Sequence, residues 1–124
     1  MILVSACLAG INCKYNRKNN LNRKIQKLVK EGKAIPVCPE QLGGLPTLRE
    51  SANLTGNGLN VLQGVAKVLT KSGKDVSINF VKGAREVLKL AKLLGVEKAI
   101  LKARSPSCGC GKMVLQLHCL KGIK

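Results

Sequence analysis

Six cysteines, at positions 7, 13, 38, 108, 110 and 119, are the residues of this chain best suited to chemistry. Thiolates are soft donors that bind zinc, copper(I) and iron–sulfur clusters, and they are also nucleophiles. A structural zinc site places its ligands in two local pairs of the form C-x2-4-C. Here five residues separate Cys7 from Cys13, Cys38 stands alone, and Cys108 and Cys110 flank one glycine. That spacing does not match a zinc ribbon. Three separated segments, SACLAG (5–10), CPEQLGG (38–44) and SPSCGCG (105–111), each set a cysteine among small or turn-forming residues. Gly and Pro there let the backbone approach a bulky inorganic group and aim its N–H groups at sulfide. Three ligands from three loops suit an iron–sulfur cluster with one metal left open. Ordinary burial of Cys7, Cys38 and Cys108 in the core is an equally good reading of spacing alone.

Two polar residues accompany these cysteines. Glu40 follows Cys38 by two positions and Ser105 precedes Cys108 by three. A carboxylate beside a metal can act as a general base toward water, and a hydroxyl can orient that water or a substrate. The plainer readings are a loop-capping carboxylate and a turn serine before proline. His118 is the lone histidine and has no partner context for a nucleophilic triad. The GGLP segment at 43–46 matches neither a P-loop nor a dinucleotide-binding turn. Cys13 and Cys110 lie near the expected site as spare ligands, sulfur carriers or plain loop residues.

The elements that would position these groups are legible from hydrophobic patterning. Residues 2–8, ILVSACL, read as a buried strand stopped by Gly10. Leu21, Ile25, Leu28 and Val29 fall at helical spacing, with Gly32 at a left-handed stop. Residues 34–38, AIPVC, read as a second strand, and a right-handed crossover would lay it parallel to the first. Residues 38–58 read as a long loop, and 59–69 leave helix or strand open. Asp75 to Ser77 offers an N-cap for a helix carrying Val81, Ala84, Val87, Leu88 and Ala91 to Leu94, with Gly95 as its stop. Residues 98–103, KAILKA, form a third strand that runs into the last cysteine segment. The pattern predicts a single α/β domain over residues 1–124, Rossmann-like, with an open, mostly parallel sheet and flanking helices. In such sheets the carboxyl ends of the strands share one edge, where ligands bind. That topology would bring Cys7, Cys38 and Cys108 together.

Composition narrows the partners. With 22 basic against 6 acidic residues the formal charge is +16, which favours anionic partners such as nucleic acid, nucleotides or phosphorylated metabolites. Tyr15 and Phe80 are the only aromatics, so the stacking platforms of single-strand RNA binders are missing. Lys14, Arg17 and Arg49 lie in the loops around the cysteines. They would meet a phosphate if the substrate were a nucleotide, solvated surface being the plainer reading. The first ten residues carry no basic leader, and no run reaches the ~18 apolar residues of a membrane helix. A cytoplasmic protein with reduced thiols and no membrane attachment is expected.

Taken with DVSINFVKGA (75–84), the segments SACLAGINCKY (5–15), IPVCPEQLGGLPT (35–47) and ILKARSPSCGCG (100–111) resemble the DUF523 family. That family includes the iron–sulfur-dependent thiouracil desulfidases, and the similarity runs over roughly residues 1–112. The resemblance implies a [4Fe–4S] cluster held by Cys7, Cys38 and Cys108, with the fourth iron free for the sulfur of a thiolated pyrimidine base or nucleotide. It implies a non-redox reaction in which water oxygen replaces that sulfur, with Glu40 and Ser105 as the catalytic acidic and serine residues. Two departures stand out. Asn16 and Arg17 follow Tyr15 where relatives carry aspartate and glycine. Residues 112–124, KMVLQLHCLKGIK, stand where relatives continue with a Tyr-Asp-Gly segment and a further helix, so a truncated or frame-shifted end is expected. Two alternatives follow from these features: a tRNA-binding or RNA-desulfuration component using the positive charge, and a cluster or sulfur carrier without catalysis.

Overall fold

The computed structural model describes residues 1–56, 58–96 and 98–102. Ser105, Cys108, Cys110, His118, Cys119 and the atypical 112–124 segment lie outside the described residues. Strands β1 (Ile2–Ser5), β2 (Ala34–Val37) and β5 (Ala99–Ile100) form a parallel sheet in the order β2-β1-β5. Leu3 and Val4 of β1 pair with Ile35 and Pro36 on one side and with Ala99 and Ile100 on the other. Pro36 is tolerated because β2 is an edge strand, where a missing N–H donor costs little. Strands β3 (Ala52–Leu54) and β4 (Val68–Thr70) form a separate antiparallel pair.

Alternation along β1 sends its side chains into two cores. Val4 joins Ala34, Ala9 and Ile25, the last on α1 (Arg23–Lys30), which covers one face. Leu3 and Val37 join Phe80, Ala84, Val87 and Ala91 of α4 (Ser77–Leu94), which packs against the opposite-facing side chains, with Val61 and Val68 closing that core. The α/β architecture with helices flanking a parallel sheet is therefore the one the patterning predicts.

Element boundaries differ in instructive ways. The first strand ends at Ser5 rather than at residue 8, because Ala6–Ala9 close into a 3-10 turn. Gly10, at φ 93°, ends that turn, and its N–H points back to the Ala6 and Cys7 carbonyls. The expected loop over 38–58 contains the one-turn helix α2 (Pro39–Leu42) and β3. The undecided stretch resolves as α3 (Gly58–Leu62) followed by β4. The N-cap position of α4 is Val76, which has no side-chain cap. Asp75 instead accepts from the Ser77 N–H and hydroxyl, so the expected capping pair closes a turn just before the helix. Gly32 and Gly95 are left-handed after α1 and at the end of α4, as the sequence predicts. Asn22, not singled out by the pattern, caps α1 by accepting from Lys24 and Ile25. Among the described residues no helix is long and apolar enough to cross a membrane.

Candidate functional site

The carboxyl edge of the parallel sheet gathers the first two cysteine segments. Cys7 lies in the 3-10 turn directly after β1, and Cys38 directly follows β2 as the N-cap of α2. Because β1 and β2 are parallel and in register, both cysteines leave the sheet at the same end. Cys13 returns to this spot from the following loop: Cys7 and Cys13 are buried together, with Cys38 packed against them. At the third strand, the Lys102 N–H donates to the Ser5 hydroxyl over 2.7 Å. The last described residue thus stands beside the exit of β1, and Lys102 is also close enough to act electrostatically on Cys7. Cys108 and Ser105 follow in sequence, outside the described residues.

Local hydrogen bonds bias two of the three thiols toward the thiolate. A side-chain hydrogen bond from Cys13 lowers Cys7 to about 6, against an ordinary value of 9.0 and against its own burial; Asn20, Lys102 and Lys14 add to the effect. Asn20 donates its amide to Cys7 Sγ over 3.6 Å, and Lys14 in turn donates to the Asn20 oxygen over 3.2 Å. Cys38 is lowered to about 7, chiefly by a hydrogen bond from Cys13, with help from the Gln41 backbone N–H and Arg49 and opposition from burial and Glu40. Cys13 moves the other way, pushed up by the bonds to Cys38 and Cys7 and by burial. Cys13 is therefore the thiol that keeps its proton, beside two sulfurs biased toward the thiolate. Anionic sulfurs are the form that binds soft metal ions, so the donor chemistry of Cys7 and Cys38 fits an iron–sulfur group. Among the described residues no three Cys, His, Asp or Glu side chains are arranged to hold a single metal ion.

Glu40 sits in the first turn of α2, two residues past Cys38, with its side chain mostly buried. It forms an ion pair with Arg49 at 3.2 Å. Arg49 departs from the sequence expectation of solvated surface: its side chain is 8% exposed and its guanidinium is bonded to this chain. Arg17 occupies a left-handed position at φ 63°, a backbone conformation that favours glycine. Sequence reasoning left the role of Cys13 open and missed those of Asn20 and Arg49. No local spacing signals these contacts, since Arg49 lies 36 residues from Cys13. A groove of about 560 Å³ beside α4, lined in part by Lys67, Lys82, Arg85 and Lys89, contains neither a cysteine nor Glu40.

Comparison with known proteins places this arrangement in context. The family described as 2-thiouracil desulfurase matches residues 2–122. The protein YbbK of Bacillus subtilis (strain 168) is 50% identical over 112 residues, covering 90% of this chain and 74% of its own. Among solved structures, the [4Fe-4S]-dependent thiouracil desulfidase TudS is similar with a TM-score of 0.84 and 33% identity. That likeness covers 98% of this chain and 87% of TudS.

Proposed function

Because the chain belongs to the 2-thiouracil desulfurase family, we propose that it removes sulfur from thiouracil or a thiolated uridine nucleotide, with Cys7, Cys38 and Cys108 holding a [4Fe–4S] cluster. The carrying observation is the convergence at one sheet edge of two thiols biased toward thiolate, Cys7 and Cys38, with Glu40 two residues beyond the second. When bound, such a cluster supplies a Lewis-acidic iron with affinity for soft sulfur. The chain's own groups do the rest. Cys13 keeps its proton beside both neighbouring sulfurs, and Asn20 hydrogen-bonds Cys7, which favours the anionic form of the ligand sulfurs. Glu40 accepts a proton from the attacking water and returns it to the departing sulfur. Ser105 orients that water or the base. Overall, a thiocarbonyl and water become a carbonyl and hydrogen sulfide. No electrons are gained or lost, so no reductant is consumed.

Protein reconstituted without oxygen, given 2-thiouracil or 4-thiouridine monophosphate, tests this reading. The thiocarbonyl absorbance of at least one substrate should disappear over many turnovers. Persistence of both absorbances with a fully loaded cluster refutes it.

A further inference from the structure

Burying a guanidinium is costly unless its charge is paired and its donors are satisfied. Arg49 meets both conditions through three separate pieces of chain. Nε donates to Glu40 Oε1 at 3.2 Å. Nη1 donates to the Pro46 and Thr47 carbonyls at 2.9 and 3.2 Å. Nη2 donates to the Cys13 carbonyl at 3.1 Å. The backbone follows the same path, since the Arg49 N–H donates to the Tyr15 carbonyl and Leu48 bridges Asn16.

From this geometry we propose that Arg49 is the positioning residue of the site, orienting the Glu40 carboxylate and locking the Cys13 loop against the Cys38 turn. The role rests on the reading of Glu40 as the base, and it goes beyond that reading by assigning what sets the base's orientation. A planar fork with five N–H donors in fixed directions can serve acceptors on three segments at once. A lysine ammonium, a point charge with three tetrahedral donors, cannot span the same set. Four of the five donors are committed to the chain itself, so the residue acts through Glu40 and not on the substrate.

A double-mutant cycle with Glu40→Gln and Arg49→Lys tests the role in the loaded protein. Arg49→Lys should lower kcat on the order of 10–100-fold, the loss expected when a reacting group is misplaced by about 1 Å, and leave KM within about twofold. In the Glu40→Gln background the same change should have almost no effect, because the group it positions is already gone. Equal losses in both backgrounds, with wild-type turnover intact, overturn the positioning role and leave the desulfidase reading standing. Absence of wild-type turnover overturns the desulfidase reading instead. The clamp is then decided by proton exchange in the cluster-free protein, read by nitrogen-15 NMR. The Arg49 Nε–H should exchange at least about tenfold more slowly than that of exposed Arg23. Equal exchange at the two arginines contradicts the proposal.

Discussion

Substituting Gly83 by alanine probes how the Cys38–Glu40 turn is seated. The turn α2 packs on α4 through a reciprocal pair of glycines. A Cβ on Gly83 would meet the Pro39 carbonyl oxygen, and a Cβ on Gly43 would meet the Asn79 carbonyl oxygen, both well inside 3.0 Å. The Asn79 side chain seals the contact by donating to the Gly43 carbonyl at 2.8 Å. The obstructing atoms are backbone, so no side chain can swing aside, and the turn must retreat by about 1 Å or more. Overpacking of this kind costs about 3 kcal/mol at the upper end, and alanine returns about 1 kcal/mol of helix propensity. The net loss is about 2 kcal/mol. With an unfolding entropy of about 2.1 cal/mol/K per residue over this chain, that corresponds to a Tm lower by about 8 °C. Pro39 lies between Cys38 and Glu40, so turnover should fall on the order of 100-fold in the fraction that remains folded. Thermal melts and single-turnover assays of Gly83→Ala, with exposed Lys82→Ala as the control, provide the measurement. A Gly83→Ala protein more stable than wild type, with normal turnover, would refute the close approach.

Other substitutions probe the remaining contacts. Arg17→Gly relieves a left-handed residue and should raise stability by about 0.5–1 kcal/mol, read as a higher urea midpoint; no gain would show that φ 63° carries no strain. Ser5→Ala removes the hydroxyl that accepts from the Lys102 N–H and should cost about 0.5–1.5 kcal/mol in denaturant melts, whereas an unchanged midpoint would mean that water replaces the hydroxyl freely. Cys7 and Cys38 are held at about 6 and about 7, below the ordinary 9.0. The stability this lends is fully present above the ordinary value and is lost as pH falls through 7 and 6. Cluster-free protein in reductant should therefore gain urea resistance from pH 6 to pH 8. Cys13→Ala, which removes the protonated thiol beside both sulfurs, should flatten that rise, and an identical slope in the variant would contradict the hydrogen-bonding scheme.

Much of the fold was legible because it rests on local periodicity. Ile25 and its neighbours at helical spacing, the apolar run after Met1, and Gly95 as a stop each follow from rules that act within one element. Cys7 and Cys38 were legible as a pair because parallel strands leave a sheet at the same edge. The two cysteine boundaries were harder. A run such as ILVSACL cannot reveal that Gly10 pulls Ala6–Ala9 into a turn. The seating of α2 depends on Gly43 meeting Gly83, forty residues apart, and neither glycine announces a helix contact by its neighbours. Arg49 was misread for the same reason: a lone arginine in a polar loop resembles solvated surface until Glu40 and Cys13 are brought to it.

The most direct test of the account follows the fate of oxygen and sulfur together. The anaerobically loaded protein is incubated with 2-thiouracil in water enriched in oxygen-18, with no reductant added, and uracil and sulfide are both quantified. One labelled oxygen per uracil, matched by one sulfide, is the expected result. Unlabelled uracil, or sulfide release that requires added electrons, would contradict water replacement at this cysteine-lined site.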